Sequence, residues 1–292
     1  MKQKIMIFAA VIALLLSSCT PLESTENSDL RVMATTSIIA DVVQNIAGDN
    51  IDVFVLLPAG SDPHSFSPTP QDIVAIEQSD LVFTNGLGLE DNLADFLVSA
   101  SESIEIIPLS NAILLDEIFD PHTWMDPTNV SMWADSIAQA LASIDPSNSL
   151  EYRANAAAYK VELDILDQWI IQQFETIEVG RRVLLSDHEY LTHFANRYDF
   201  EIPGTLISGT SSLGEASASG LADLENLVNQ REIAALILGS PESEALAVQF
   251  SVDAGLQLVP IFVESLSGDD GPAPTYIELM RYDVTNIANA LR

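Results

Sequence analysis

The sequence predicts an α/β fold of two lobes, each with a parallel four-stranded sheet, joined by one long linker helix. Three observations support this class. Strand-like and helix-like segments alternate along most of the 292 residues, as in parallel sheets covered by helices. The alternation is interrupted once, by residues 147–178, which keep helical spacing and contain no Gly or Pro. A chain of this length makes one large or two medium domains.

The N-terminal lobe is expected at residues 31–146. A Pro-, Gly- and Ser-rich loop, residues 58–70, follows its second strand. Apolar residues recur at helical spacing from Ile38 to Ile46. The predicted strands are Arg31–Thr35, Ile51–Leu57, Leu81–Asn85 and Glu105–Leu109, and the further predicted helices are Gln71–Gln78, Asp91–Ser99 and Thr128–Leu141.

Residues 147–179 are expected to form the linker helix. Asp145 and Pro146 give a start signal and Gly180 a stop signal. About 30 helical residues would measure about 45 Å, the length of a whole domain. Because the strand–helix alternation restarts afterwards, a link between two lobes is favoured over a long helix inside one larger domain. Apolar side chains recur every three or four positions, at Tyr152, Ala156, Tyr159, Leu163, Leu166, Ile170, Phe174 and Ile177.

The C-terminal lobe is expected at residues 180–292, again with four strands and helices between them. The predicted strands are Arg182–Ser186, Gly204–Ile207, Ile233–Leu238 and Gln257–Val263. The predicted helices are Glu189–Tyr198, Gly220–Gln230, Glu242–Ala254 and Thr275–Leu291.

Residues 1–18 are expected to be a signal peptide that is absent from the mature fold. Lys2 and Lys4 precede an apolar run, Ile5–Leu16, which is shorter than the about 20 residues that a membrane-spanning helix needs. The last residue of this run begins the sequence Leu-Ser-Ser-Cys, which resembles a bacterial lipobox. Since Cys19 is the only cysteine, a lipid anchor is favoured over an ordinary signal peptide with a coincidental cysteine. Polar residues 19–30 then form a flexible tether.

The composition excludes several classes of function. The chain has 43 Asp+Glu against 11 Lys+Arg, a net charge of −32, which argues against a nucleic-acid partner and favours cationic ligands. This acidity either steers cations or serves solubility, and solubility is the simpler interpretation. A single cysteine rules out a disulfide framework and disfavours a thiolate zinc site. Apolar residues make up 48% of the chain, enough for a folded core.

Three of the four histidines follow predicted strands. Ligands of open α/β sheets bind beyond the carboxyl ends of the strands. His64 follows the second predicted strand, His122 the fourth, and His188 the first strand of the C-terminal lobe, whereas His193 lies within a predicted helix. We therefore predict that His64, His122 and His188 share one metal site, in preference to three unrelated solvent-exposed loop residues.

The surroundings of these histidines support a metal site. The tripeptide Asp-Pro-His occurs twice, ending at His64 and at His122. Proline stiffens the backbone before the imidazole, and a nearby aspartate can orient the ring of a metal-ligating histidine. A carboxylate is expected to complete the set. Glu264 follows the last predicted strand and is preferred, although a solvated or capping role is open to it, and Asp187 and Glu189 beside His188 are rivals.

The same segments carry a family resemblance. From about Val32 to Leu291 the chain is similar to the substrate-binding lipoproteins of bacterial zinc and manganese ABC importers. The runs that carry it are Met33–Asp41, Leu57–Pro70, Asn85–Glu90, Asp120–Pro127, His188–Tyr198 and Phe262–Ser267.

The resemblance implies a solute-binding protein, not an enzyme, with one metal ion in a cleft between two lobes. It also implies an extracytoplasmic protein that delivers the ion to a membrane permease driven by an ATPase, and we expect a monomer. The sequence departs from the family pattern at two places. Glu264 stands where aspartate is usual, and Gly239-Ser240-Pro241 stands where many relatives have a glutamate, so that any supporting role of that acid is lost or passes to Glu242.

Three imidazoles and one carboxylate suit Zn²⁺ better than Mn²⁺, which is the alternative. The short segment Ser110–Asp120 lacks the histidine-rich loop of many zinc members, which weakens this preference. Three other functions compete. A secreted zinc-dependent hydrolase would use three histidines and a water, but the sequence has no H-E-x-x-H helix. A metal-dependent adhesin lipoprotein is a second alternative. A siderophore- or cobalamin-binding protein is a third, and the strand-end histidines argue against it.

Overall fold

The structure, a computed structural model, describes residues 30–113 and 119–292. The predicted signal peptide, Cys19 and the tether up to residue 29 lie outside the described residues. Within the described ranges, we find no helix with both the length and the apolar character that crossing a bilayer requires. Two parallel four-stranded sheets with helices around them confirm the predicted two-lobed α/β class.

The first sheet lies in the N-terminal half and has the strand order β2-β1-β3-β4, with all neighbours parallel. Because the strands are parallel, their carboxyl ends meet at one edge, where the loops after β2 and β4 come together. The strands are β1 Val32–Ala34, β2 Val53–Val55, β3 Leu81–Thr84 and β4 Glu105–Pro108. The helices are α1 Ser37–Ala47, α2 Pro70–Glu77, α3 Ala94–Ala100 and α4 Pro127–Ile144.

The second sheet repeats this topology in the C-terminal half, with the order β6-β5-β7-β8 and parallel neighbours. The loops that carry His188 and Glu264 follow β5 and β8. The strands are β5 Val183–Ser186, β6 Glu201–Thr205, β7 Ala235–Leu238 and β8 Gln257–Pro260. The helices after the linker are α6 Thr192–Tyr198, α7 Ala218–Arg231, α8 Glu244–Ala254 and α9 Tyr276–Leu291.

The linker helix α5 spans Ser149–Glu175, 27 residues, or about 40 Å. It is shorter than predicted because a 3₁₀ turn, Pro146–Asn148, precedes it and Thr176 caps it. Its buried face has the predicted spacing and packs on α4, α1 and α9. One apolar core includes side chains of α5 and of both halves. The domain boundaries at 146/147 and 179/180 therefore stay a prediction.

Several elements of the C-terminal half have bounds that differ from the sequence prediction; the helix predicted from Glu189, for example, begins at Thr192. The strand predicted at Gly204–Ile207 is β6, Glu201–Thr205. Pro203 and Gly204 have the composition of a turn, but β6 pairs with β5 through a register shift that accommodates them. The strand predicted to reach Val263 ends at Pro260, which leaves Ile261 and the residues that follow it as an irregular segment leading to Glu264.

Candidate metal centre

His64 lies in the long loop after β2 and is held by its own Asp-Pro-His motif. The backbone N–H of His64 donates to Oδ1 of Asp62 at 2.7 Å. From the other side, the Asn92 side-chain amide donates to the carbonyl of His64. Its side chain is nearly buried, with 9% of the residue exposed. The loop therefore fixes the backbone of His64 while leaving its Nε2 free to face the centre of the molecule.

His122 follows β4 and a stretch that includes the undescribed residues 114–118. Oδ1 of Asp120 accepts hydrogen bonds from the backbone N–H of His122 at 3.0 Å and from its Nδ1 at 2.7 Å. Since Nδ1 is bound to Asp120, Nε2 is the nitrogen that faces the centre. His122 is fully buried. The second Asp-Pro-His motif thus orients its imidazole with its own carboxylate, as the sequence suggested.

A buried polar network holds the loop that carries His122. The Asn85 side-chain amide donates to the carbonyl of Pro121 at 2.8 Å. The Glu90 carboxylate accepts from the backbone N–H of Asn85 at 2.7 Å and from the Thr35 hydroxyl at 2.8 Å. Sequence reasoning did not assign a role to these residues, although Asn85 and Glu90 are the first and last residues of one of the runs shared with the family. The signal available in the sequence was an acid five residues after a strand-end asparagine.

His188 lies directly after β5, in the loop before α6. Its Nδ1 contacts Oδ2 of Asp187 at 2.9 Å, and the ring of Tyr190 packs against it with centroids 4.7 Å apart. The rivals proposed beside it do not join the centre. The Asp187 carboxylate faces Nδ1, on the side away from the other histidines, and Glu189 is exposed and accepts from the backbone N–H of Gly209 at 3.1 Å.

Glu264 lies in the segment after β8, which the N-terminal half holds in place. The Trp124 indole N–H donates to the carbonyl of Val263 at 3.0 Å. The Ser37 hydroxyl accepts from the backbone N–H of Leu266 at 3.0 Å. Glu264 therefore belongs to the C-terminal half by sequence, but residues from both halves determine its position.

The structure brings the four predicted residues together. One ligand atom from each of His64, His122, His188 and Glu264 lies within 4.8 Å of all the others. Nε2 of His64 is 3.2 Å from Nε2 of His122. Oε1 of Glu264 is 3.3 Å from Nε2 of His188, 3.5 Å from that of His122 and 3.9 Å from that of His64. Four loops, two from each sheet, therefore supply one compact group.

Buried polar atoms in this group lack hydrogen bonds. Among the described residues, Nε2 of His188 and both carboxylate oxygens of Glu264 are buried without a hydrogen-bond partner. Buried polar groups in folded proteins are normally satisfied by a hydrogen bond, a water or an ion. The ligand-type atoms of this group face one another, as in a set of metal ligands.

Burial and the neighbouring charges shift the pKa values in opposite directions. Burial lowers the pKa of His64 to about 4. Burial also disfavours charge on His122, but Glu264 and Asp120 outweigh it and raise the pKa of His122 to about 10. The pKa of His188 is likewise raised, because nearby carboxylates outweigh its burial. Burial opposes ionisation of Glu264, yet the imidazoles hold the pKa of Glu264 well below its usual range. The group thus holds a carboxylate paired with an imidazolium.

Two further residues named from the sequence lie outside the group. His193 is on α6, as predicted, and its Nε2 contacts the carbonyl of Asp120 at 2.8 Å. This contact ties α6 to the loop that carries His122. Glu242 is exposed and accepts from the Ser240 hydroxyl at 2.7 Å. The acid that supports His188 is therefore Asp187, within the same loop, and not Glu242.

Comparison with known proteins agrees with this geometry. The family model of ZnuA, described as zinc-uptake complex component A, periplasmic, matches residues 32–290. The chain belongs to the ZnuA family. This match covers nearly all of the described residues and confirms the resemblance that the motifs suggested.

The chain is similar to proteins named for metal binding, and some of its relatives are named as substrate-binding lipoproteins of manganese ABC transporters. The manganese-binding lipoprotein MntA of Halalkalibacterium halodurans is 29% identical, over 96% of each chain. The periplasmic zinc-binding protein TroA of Treponema pallidum has a TM-score of 0.82 at 26% identity, covering 90% of this chain and 99% of that one. The cadmium-bound periplasmic metal-binding protein of Candidatus Liberibacter asiaticus has a TM-score of 0.81 at 29% identity, covering 90% and 100%. These matches confirm a solute-binding protein rather than an enzyme.

Proposed function

We propose that this protein captures a divalent transition-metal ion with Nε2 of His64, His122 and His188 and the carboxylate of Glu264. One observation carries this proposal: four buried side chains from four separate loops direct their ligand atoms to a common point, all within 4.8 Å. Such convergence of imidazole and carboxylate groups is the donor set of a transition-metal site. The hydrogen bonds of Asp120 and Asp187 to the Nδ1 atoms leave the opposite nitrogens as ligands.

Zinc is the proposed cargo, with manganese as the alternative. A tetrahedral Zn²⁺ site with bonds of about 2.0–2.1 Å has ligand-to-ligand edges of about 3.3 Å, and four of the distances in the group lie between 3.2 and 3.9 Å. Three nitrogen ligands favour Zn²⁺ over Mn²⁺ on the Irving–Williams order, whereas Mn²⁺ prefers oxygen ligands. Manganese is the competitor to test, because several relatives are named for it.

The proposed role is delivery rather than storage. We infer that the protein, anchored outside the cytoplasm through a lipid on Cys19, passes its ion to the permease of an ABC importer and acts as a monomer. The names of the relatives and the family match support this role.

The proposal is tested by the metal content of the mature protein. We expect about one ion per chain on elemental analysis, and Zn²⁺ to displace Mn²⁺ in a competition titration. His188→Ala is the comparison variant and should lose the ion. A wild-type protein that binds neither ion would contradict the function, whereas Mn²⁺ outcompeting Zn²⁺ would overturn only the choice of metal. Deleting the gene should impair growth when the metal is scarce, and unimpaired growth would argue against transport.

A further inference from the structure

We propose that Asp187 is a positioning residue that selects the tautomer of His188, and that the backbone N–H of Gly239 gives it this ability. The inference rests on the proposed metal-binding role of His188. It concerns three residues at the ends of the neighbouring strands β5 and β7. Asp187 and His188 are fully buried, and Gly239 is partly buried.

The carboxylate of Asp187 bridges two kinds of partner. Its Oδ2 contacts Nδ1 of His188 at 2.9 Å. Its Oδ1 accepts from the backbone N–H of Gly239 at 2.7 Å and from the Tyr190 hydroxyl at 3.0 Å. One oxygen therefore faces the imidazole and the other faces two donors.

The donor from Gly239 cannot be exchanged for an acceptor. A hydroxyl such as that of Tyr190 can rotate and accept, but a backbone N–H only donates. Its place is also tightly set, since a Cβ added at Gly239 would lie 2.6 Å from Cγ2 of Val263 and 2.8 Å from Cζ of Tyr190. Whatever side chain occupies position 187 must therefore present an acceptor to Gly239.

An aspartate meets this demand and accepts from His188 as well, because both its oxygens are acceptors. In the neutral ring, Nδ1 of His188 then carries the proton, and Nε2, the nitrogen 3.3 Å from Oε1 of Glu264, keeps its lone pair for a metal ion. In Asp187→Asn the amide oxygen has to face Gly239, and the NH₂ group has to face Nδ1. Nδ1 must then accept, which moves the proton to Nε2 and blocks the ligand atom.

Asp120 offers a matched control, because the same substitution has a different consequence there. A single oxygen, Oδ1, accepts from both the backbone N–H and Nδ1 of His122. In Asp120→Asn the amide oxygen keeps both bonds, and Nδ1 of His122 keeps its proton. Only the other oxygen's contact with the backbone N–H of Thr192, at 3.2 Å, is lost. The geometry thus points to opposite tautomer outcomes for two chemically identical substitutions.

The experiment compares wild type, Asp187→Asn, Asp120→Asn and Tyr190→Phe. The ¹⁵N chemical shifts of the His188 and His122 rings are measured without metal, at a pH where the rings are neutral, with His188→Gln used for assignment. Zn²⁺ affinity is measured by competition with a chelator, and circular dichroism verifies that each variant is folded. We expect Asp187→Asn to place the proton on Nε2 of His188 and to weaken Zn²⁺ binding about 10- to 100-fold. Asp120→Asn should retain Nδ1–H on His122 with a smaller loss.

Tyr190→Phe keeps the test decisive even if Asp187→Asn does not fold. It removes the hydroxyl but leaves the Gly239 donor, so the proton should stay on Nδ1 of His188. The inference is overturned if Tyr190→Phe moves that proton, if Asp187→Asn leaves Nε2 unprotonated, or if both aspartate variants lose the same affinity. Since the tautomer is measured without metal, these outcomes are separate from a failure of the wild type to bind any ion, which would contradict the proposed function instead.

Discussion

The Ser212 hydroxyl, in the loop after β6, donates a buried hydrogen bond of 2.5 Å to Oδ2 of Asp62, which lies 150 residues earlier in the chain. The other oxygen of Asp62 accepts from the backbone N–H of His64. A loop of the C-terminal half therefore holds the residue that positions a candidate ligand in the N-terminal half. This relationship couples the contact between the halves to the geometry of the metal centre.

Removing the Ser212 hydroxyl should accelerate metal release. Ser212→Ala leaves one carboxylate oxygen of Asp62 without its donor, and hydrogen bonds to charged groups contribute about 1.5–3 kcal/mol. We expect the dissociation rate, followed by stopped-flow mixing with a chelator, to rise about tenfold or more. Ser211→Ala, in the same loop, is the control and should leave the rate unchanged. An unaltered rate in Ser212→Ala would show that this contact does not restrain the site.

Removing one imidazole should abolish tight binding. His188→Ala deletes one of the four proposed ligand atoms, and its effect should exceed the about 10- to 100-fold loss typical of residues that only support a ligand. Isothermal titration calorimetry with Zn²⁺ measures the change. His193→Gln is the matched control, since His193 contacts the carbonyl of Asp120 and not the cluster. Unchanged zinc affinity in His188→Ala would refute the assignment of the site.

The charge of Glu264 should matter more than its shape. Glu264→Gln keeps the length of the side chain but removes the anion that faces three imidazoles at 3.3–3.9 Å, and we expect it to weaken Zn²⁺ binding at least about 100-fold. Glu264→Asp keeps the charge, and we expect a smaller loss because only the reach of the carboxylate changes. Competition with a chelator measures both. A larger loss in Glu264→Asp than in Glu264→Gln would mean that reach, and not charge, governs the role of Glu264.

Metal affinity should rise with pH across the neutral range. The pKa of His122 is raised to about 10 and that of His188 is also raised, so these imidazoles hold protons that a metal ion must displace. His64, with a pKa lowered to about 4, is already neutral there. Below the raised pKa each displaced proton changes the affinity about tenfold per pH unit. Calorimetry in buffers of different ionisation enthalpy should detect proton release, and binding without release would contradict this protonation state.

A methyl group at Gly239 should destabilise the fold. In Gly239→Ala the new Cβ would approach Cγ2 of Val263 to 2.6 Å and Cζ of Tyr190 to 2.8 Å, and overpacking of this kind costs about 1–3 kcal/mol. Thermal unfolding of the metal-free protein measures the loss. Gly268→Ala is the control, because nothing lies within 4 Å of a Cβ added there. If Gly239→Ala unfolds at the wild-type temperature, the close packing around β7 is not restrictive.

Much of the fold could be predicted because it depends on local patterns. The apolar spacing of Tyr152 to Phe174 predicts the buried face of α5, and the alternation of elements predicts two parallel sheets. The error at β6 arose because Pro203 has the composition of a turn, although it lies inside a strand that pairs with β5 through Glu201 and Gly204. Pairing with a neighbouring strand overrides such a local preference.

The sequence by itself determined which side chains could form a metal centre. His64, His122, His188 and Glu264 follow strands, and parallel strands bring their carboxyl ends to one edge of each sheet. Only the tertiary structure decided how that centre is supported: Asp187 and not Glu242 faces His188, Trp124 and Ser37 hold the segment of Glu264, and Ser212 holds Asp62. The physical reason is how far apart the interacting residues lie along the chain. Strand and helix patterns depend on neighbours a few residues apart, whereas these hydrogen bonds, apart from the one between Asp187 and His188, join distant segments that meet only when the two halves pack together.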